Sequence, residues 1–159
     1  MNLFDRLAES KKLPLGHYER NEASKAVSEV YLLCRENESK FCKLLRKKFK
    51  TGWLSSKKPE VWKKLCDKIC DVYGIVRIKT FVLSSPDCHA CSGGHYSRRE
   101  IHVPHNYCEL RVCLHELAHH FQIMDDKRGG HGQDFIEYEN LVFDGFWKVI
   151  DEDLIKELK

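Results

Sequence analysis

His115-Glu116-Leu117-Ala118-His119 sets two imidazoles and a carboxylate at a spacing that can do metal chemistry. On a helix, four residues make a little over one turn, so His115 and His119 project from one face about 6 Å apart. Two imidazoles so placed can share one Zn²⁺ at about 2.0–2.1 Å each, with Glu116 beside the open side of the metal. A carboxylate there can take a proton from a water held by the metal, which is the general-base role in metal-assisted hydrolysis. A surface helix without metal is the alternative for a bare five-residue match, so the flanks decide. Leu114, Leu117, Ala118 and Phe121 embed the motif in an amphipathic helix.

A zinc hydrolase site usually keeps three protein ligands and one position for water. The third ligand is expected downstream, once the chain has turned back. His131 lies twelve residues past His119, within Gly129-Gly130-His131-Gly132-Gln133-Asp134-Phe135. The glycines allow a tight turn and a close approach to the metal. Asp134 is placed to cap or orient, and Phe135 opens the packing face of a last helix. His120 points about 100° away from His119 and reads as a solvent-facing or supporting residue, not a ligand. Cys108 shares the face of His115 but lies about 10 Å along the axis, too far for the same zinc. With Cys113 it reads as a buried thiol.

The order His-Glu-x-x-His, a short glycine-containing break and then His-Gly-x-x-Phe resembles the SprT-like (Spartan-type) zinc metalloproteases, within the wider HExxH zincins. The resemblance covers about residues 93–143. It implies a zincin-like fold, peptide-bond hydrolysis, zinc held by His115, His119 and His131, and Glu116 as catalytic base. Gly93-Gly94-His95-Tyr96 followed by Ile101-His102-Val103 is similar to the strand that precedes the active helix in such enzymes. Other zincins take a downstream glutamate as third ligand, so Glu137 and Glu139 compete with His131, and the glycine-flanked histidine is preferred. The family also implies substrates that are proteins bound or crosslinked to DNA. The Lys-rich first half carries no likeness to it.

Cys88-His89-Ala90-Cys91 is a CxxC in a loop, half of a structural zinc site. Cys66 and Cys70, an i,i+4 pair on one helix, would supply the other half if that helix packs beside the loop. Small buried thiols and an incidental loop pair are the alternative. Thioredoxin-type redox chemistry is not expected, because the CxxC does not open a helix after a strand. His95, His102 and His105 raise the histidine density before the motif helix. His95 and Tyr96, in the loop that should border a cleft, are the candidates for steadying an oxyanion or touching substrate.

The elements that must position these groups follow from periodicity. A short helix is expected over 2–10. Ala23, Ala26, Val27, Val30, Tyr31, Leu33 and Cys34 recur at helical spacing over 17–36, and Phe41, Leu44, Leu45 and Phe49 carry a Lys-rich helix toward Gly52. Pro59 fits the first turn of a helix bearing Val61, Trp62, Leu65, Ile69 and Val72 and ending at Gly74. The β-branched run Ile75–Leu83 predicts a strand, and Glu100–Val103 a second one ended by Pro104. Between them lies a polar loop with Pro86, Gly93 and Gly94. Asn106 is a candidate N-cap for the motif helix over about 107–124. Past the Gly129-Gly130 break, a helix over 133–149 carries Phe135, Ile136, Leu141, Val142, Phe146 and Val149. The class is therefore α+β, mainly helical with a small sheet beside the HExxH helix. Residues 1–73 are expected to form a basic helical region and 74–159 a zincin-like metallopeptidase core, in one compact unit. A peptide substrate would lie extended along the 99–103 strand, pairing backbone to backbone.

A chain of 159 residues is long enough for a proper core, and 42% hydrophobic with 32% charged residues is ordinary globular composition. No apolar run approaches the roughly 18–20 residues of a membrane span, and the first residues lack a signal-peptide core. A cytoplasmic or otherwise intracellular protein without membrane contact is expected, its eight cysteines serving as thiols or metal ligands. The net charge of +3 hides an asymmetry: residues 1–80 carry 19 Lys/Arg against 10 Asp/Glu, and residues 81–159 carry 8 against 14. The basic half could meet DNA or another polyanion, or form ordinarily solvated helix faces. Two readings compete with a peptidase: a non-catalytic, zinc-stabilised module that binds DNA or protein, and a metal hydrolase of non-peptide amides.

Overall fold

The computed structural model describes residues 17–50, 54–84, 95–105, 108–127, 131 and 133–159, with side chains from residue 32 onward except those of His95 and Gln133. The expected helix over 2–10, the cap at Asn106, the Gly129-Gly130 break and the Cys88/Cys91 pair lie outside the described residues. The described elements are α1 (His17–Phe49), α2 (Pro59–Tyr73), β1 (Thr80–Ser84), β2 (His95–Ser97), β3 (Glu100–Pro104), α3 (Leu110–Met124), α4 (Gln133–Val149) and α5 (Glu152–Leu158). The class is α+β, mainly helical with a three-stranded mixed sheet.

Helix α1 is amphipathic in its described half. Cys34, Glu38, Phe41 and Leu45 recur every three or four residues and are buried, while Lys40, Lys43, Lys47 and Lys48 face outward. Its stripe packs on α4: Phe41 stacks on Phe143 with centroids 4.2 Å apart and meets the edge of Phe146 at 5.5 Å. Such aromatic pairs add to the area they bury. Helix α2 begins at Pro59 and buries Val61, Trp62, Leu65, Cys66, Ile69 and Cys70. Gly74, at φ 64°, takes the left-handed conformation that closes it. Helix α2 crosses α4 at Gly145, where even a Cβ would stand 2.8 Å from Ile69 Cγ2 and 2.9 Å from Tyr73 Cε2.

The first strand is shorter than the run Ile75–Leu83 suggests, because the backbone before Thr80 is engaged elsewhere. The Ile75 amide donates to Cys70 at the helix end, and the Val76 and Arg77 carbonyls accept from His120 and Arg99. Strand β1 then pairs parallel with β3, and β2 pairs antiparallel with β3. The segment from His95, read as loop from its glycines, is thus partly strand. Arg98 and Arg99 make the two-residue turn between β2 and β3, at φ 50° and 65°. That conformation matches the twist of a tight hairpin but strains any side chain other than glycine.

Sheet order β1-β3-β2 puts β3 in the middle. The 99–103 segment therefore cannot accept an added strand, since both its edges are occupied. Among the described residues, free edges belong to β1 and β2. Strand β1 packs against α2, and β2 and β3 pack against α3. Helix α3 starts at Leu110, with Glu109 at the cap position and the Leu110 amide donating to Leu54 O at 2.9 Å. Short α5 was not foreseen. Asp151 caps it by accepting from the Leu154 amide at 2.7 Å, and Leu154, Ile155 and Leu158 are buried. The apolar core runs from Cys34 to Leu158, drawing on α1 as well as on the segments after Gly74. No helix among the described residues is long and apolar enough to cross a membrane.

Candidate metal centre

Helix α3 exists because Leu110, Cys113, Leu114, Leu117, Ala118 and Phe121 form a buried stripe. That stripe turns the adjacent face, with His115 and His119, toward the start of α4. The two imidazoles have centroids 5.1 Å apart. His131 enters from the connection before α4, its centroid 4.9 Å from His115 and 4.8 Å from His119. One candidate ligand nitrogen from each of the three lies within 4.8 Å of the others. Fully buried Phe135 backs the cluster, with its ring 4.8, 4.4 and 4.8 Å from His115, His119 and His131.

The hydrogen bonds decide which nitrogen of His115 is free. Its Nδ1 faces two carboxylates, Glu38 Oε1 at 2.8 Å and Glu139 Oε2 at 3.2 Å, and so must carry the hydrogen. Nε2 then points at His131 Nε2, 2.9 Å away. Two lone pairs cannot face each other at that distance without a proton or a cation between them. The donor set therefore fits a dication: three imidazole nitrogens converge, and the first is backed by carboxylates, the usual arrangement behind a zinc-bound histidine. Glu139 lies behind His115, on the far side from His131, and Glu137 is exposed.

Electrostatics agrees. Burial, followed by the charge of His115, lowers His119 to about 3 and His131 to about 4, so both are neutral donors at physiological pH. Burial also disfavours charge on His115, but the hydrogen bonds to Glu139 and Glu38 outweigh it and hold the ring at about 9. The proton it keeps sits where a dication would. Glu116 is only 5% exposed, and burial raises its carboxyl to about 7. Burial opposes charge on both partners of His115 too. Glu38 is nonetheless held below the ordinary glutamate range by His115 and the Arg111 guanidinium, whose Nη1 donates to Glu38 Oε2 at 3.0 Å. Glu139 has a neutral second partner, the Asn37 amide at 2.8 Å, and burial leaves it raised.

Other expected residues are placed differently. His120 is fully buried, not solvent-facing. Its Nε2 donates to the Val76 carbonyl, which can only accept, so Nδ1 accepts the Tyr96 hydroxyl at 2.9 Å. The pair ties α3 to β2 and to the extended chain before β1. Tyr96 thus spends its hydroxyl on His120. Of His95 only the backbone is described, paired with His102. Cys66 and Cys70 are fully buried, which drives Cys66 well above the usual thiol range and Cys70 to about 12, favouring neutral thiols. Cys108 and Cys113 are buried as expected.

Glu38, Asn37 and Arg111 were not singled out by sequence, and Glu139 only as a ligand. A signal existed. Glu38 interrupts the apolar stripe Cys34, Phe41, Leu45, and Glu139 interrupts Phe135, Val142, Phe146. A carboxylate on the buried face of a helix demands a partner. Compared with known proteins, the chain matches no family model, no curated protein and no solved structure.

Proposed function

We propose that this protein is a zinc-dependent peptidase of SprT-like type. The observation that carries the proposal is the convergence of His115, His119 and His131 on one point, with Glu116 on the same helix in a low-dielectric setting. The three histidines would hold the zinc, which when bound supplies a Lewis acid for the scissile carbonyl and acidifies a water. Glu116 takes the proton of that attacking water and passes it to the leaving amine. In the metal-free protein burial raises the Glu116 carboxyl above the ordinary glutamate range, which strengthens it as a proton acceptor. The substrate chain adds as a strand to the outer edge of β2, which no strand among the described residues pairs with and which packs on the motif helix; such pairing recognises backbone with little demand on side chains.

The test is hydrolysis of a fluorogenic peptide library by zinc-loaded wild type and the Glu116→Gln variant. Cleavage by wild type, with turnover lost and zinc kept in the variant, is the expected result. Equal cleavage by both sinks the mechanism. No cleavage by a wild type that binds zinc favours a zinc-stabilised binding module.

The outward Lys40, Lys43, Lys47 and Lys48 of α1 support a DNA-facing surface, and with it DNA-associated protein substrates. Binding to single- and double-stranded DNA, measured over a salt series, tests this. No binding at low salt removes the DNA arm and leaves the chemistry untouched.

A further inference from the structure

We propose that Glu38 and Glu139 are positioning residues of the metal centre: from α1 and α4 they together grip Nδ1 of His115, which makes the long basic helix a working part of the site. The inference rests on the zinc reading above and goes beyond the motif, which accounts for neither carboxylate.

Glu38 is 5% exposed and Glu139 fully buried, and their hydrogen bonds to Arg111, Asn37 and His115 form one network. Arg111 holds the far oxygen of Glu38, Asn37 holds the far oxygen of Glu139, and the near oxygens meet at a single nitrogen 77 residues from Glu38 in sequence. If only packing were served here, apolar side chains of similar volume would do it at lower cost, because charge is expensive to bury. What the carboxylates supply is specific to a ligand. They hold the hydrogen on Nδ1, leave the Nε2 lone pair toward His131, fix the ring plane and strengthen the donor. Arg111 belongs to α3, four residues before His115, so α1 is latched to the same helix that carries the ligands. Seating of α1 and loading of the metal are therefore linked, and each must favour the other.

The experiment measures Zn²⁺ affinity of the full chain by competition with a chromophoric chelator, for wild type, Glu38→Gln, Glu139→Gln and the double variant. Metal per chain is measured alongside. We expect one zinc per chain throughout and affinity weakened about 10–100-fold in each single variant. The double variant should lose less than the product of the two, because both residues serve one nitrogen. Unchanged affinity in both single variants overturns the proposal, even if their metal-free forms melt earlier. A wild type that binds no zinc, or a His115→Ala variant that binds it equally well, instead overturns the zinc reading beneath it. If the glutamine variants fail to fold, ¹⁵N-histidine NMR of zinc-loaded wild type decides: a downfield, exchange-protected His115 Nδ1 proton supports the grip, and a rapidly exchanging one overturns it.

Discussion

His115 Nε2 and His131 Nε2 stand 2.9 Å apart although sixteen residues separate them in sequence. The contact joins a helix to the connection before α4, and with His115 Nδ1 committed to carboxylates it can be closed only by a proton or a metal. His131→Ala should therefore weaken zinc sharply by removing one of three ligands, while leaving α3 and the His115–Glu38 bond intact. Elemental analysis of wild type and variant after dialysis checks this. Retention of one zinc per chain in His131→Ala would mean that His131 is not one of the ligands.

Glu116 gives a pH signature that needs no activity. In the metal-free protein its pKa is raised from 4.5 unfolded to about 7 folded. A raised folded value means that the protonated form favours folding: the contribution is fully present below 4.5 and is lost as pH rises through 7. A shift of that size corresponds to about 3 kcal/mol. Glu116→Gln carries no proton to lose, so the variant should gain on wild type between pH 4.5 and 7 and keep the advantage above. Chemical denaturation of both metal-free proteins at pH 4.5 and 8 measures it. A difference that does not move with pH would mean that the carboxyl is not desolvated.

The pairing of His115 with His119 was legible in sequence because HExxH encodes its own geometry: helical periodicity alone puts both on one face. Helices α2 and α4 were legible for the same reason, since Pro59, Gly74 and the apolar stripes mark ends and faces locally. The partners of His115 were not. Glu38 meets it only through the tertiary packing of α1 on α4, and no local rule states which buried carboxylate finds which donor. Strand order was hidden likewise. The run Ile75–Leu83 has strand composition throughout, yet His120 and Arg99 claim the backbone of its first part, and only the pairing shows that β3 is central.

Gly145 sits mid-helix in α4, where alanine would ordinarily be favoured by about 1 kcal/mol. Here the added methyl would meet Ile69 Cγ2 at 2.8 Å and the Tyr73 ring at 2.9 Å. Ile69 is fully buried, and Tyr73 is pinned by its hydroxyl to Leu141 O at 2.9 Å, so neither side chain has room to yield. Overpacking of this kind costs about 1–3 kcal/mol, which exceeds the propensity gain. Gly145→Ala should be destabilised by up to about 2 kcal/mol with zinc affinity unchanged, as read by denaturant midpoint and chelator competition. A stabilised variant would mean that α2 and α4 cross less closely.

Tyr96 separates a structural role from a catalytic one. Its hydroxyl donates to Nδ1 of a fully buried His120, whose Nε2 hydrogen is committed to the Val76 carbonyl. Removing the hydroxyl leaves Nδ1 a buried acceptor with no donor, at a cost of about 1–3 kcal/mol. Tyr96→Phe should thus lower the unfolding free energy by that amount and leave zinc affinity as it was. If Tyr96 instead steadied an oxyanion, the variant would melt normally and lose about 10²–10³ in kcat. Denaturation and peptide turnover, measured on the same preparation, tell the two apart, because the His120 bond and a bond to substrate cannot both use the one hydroxyl hydrogen.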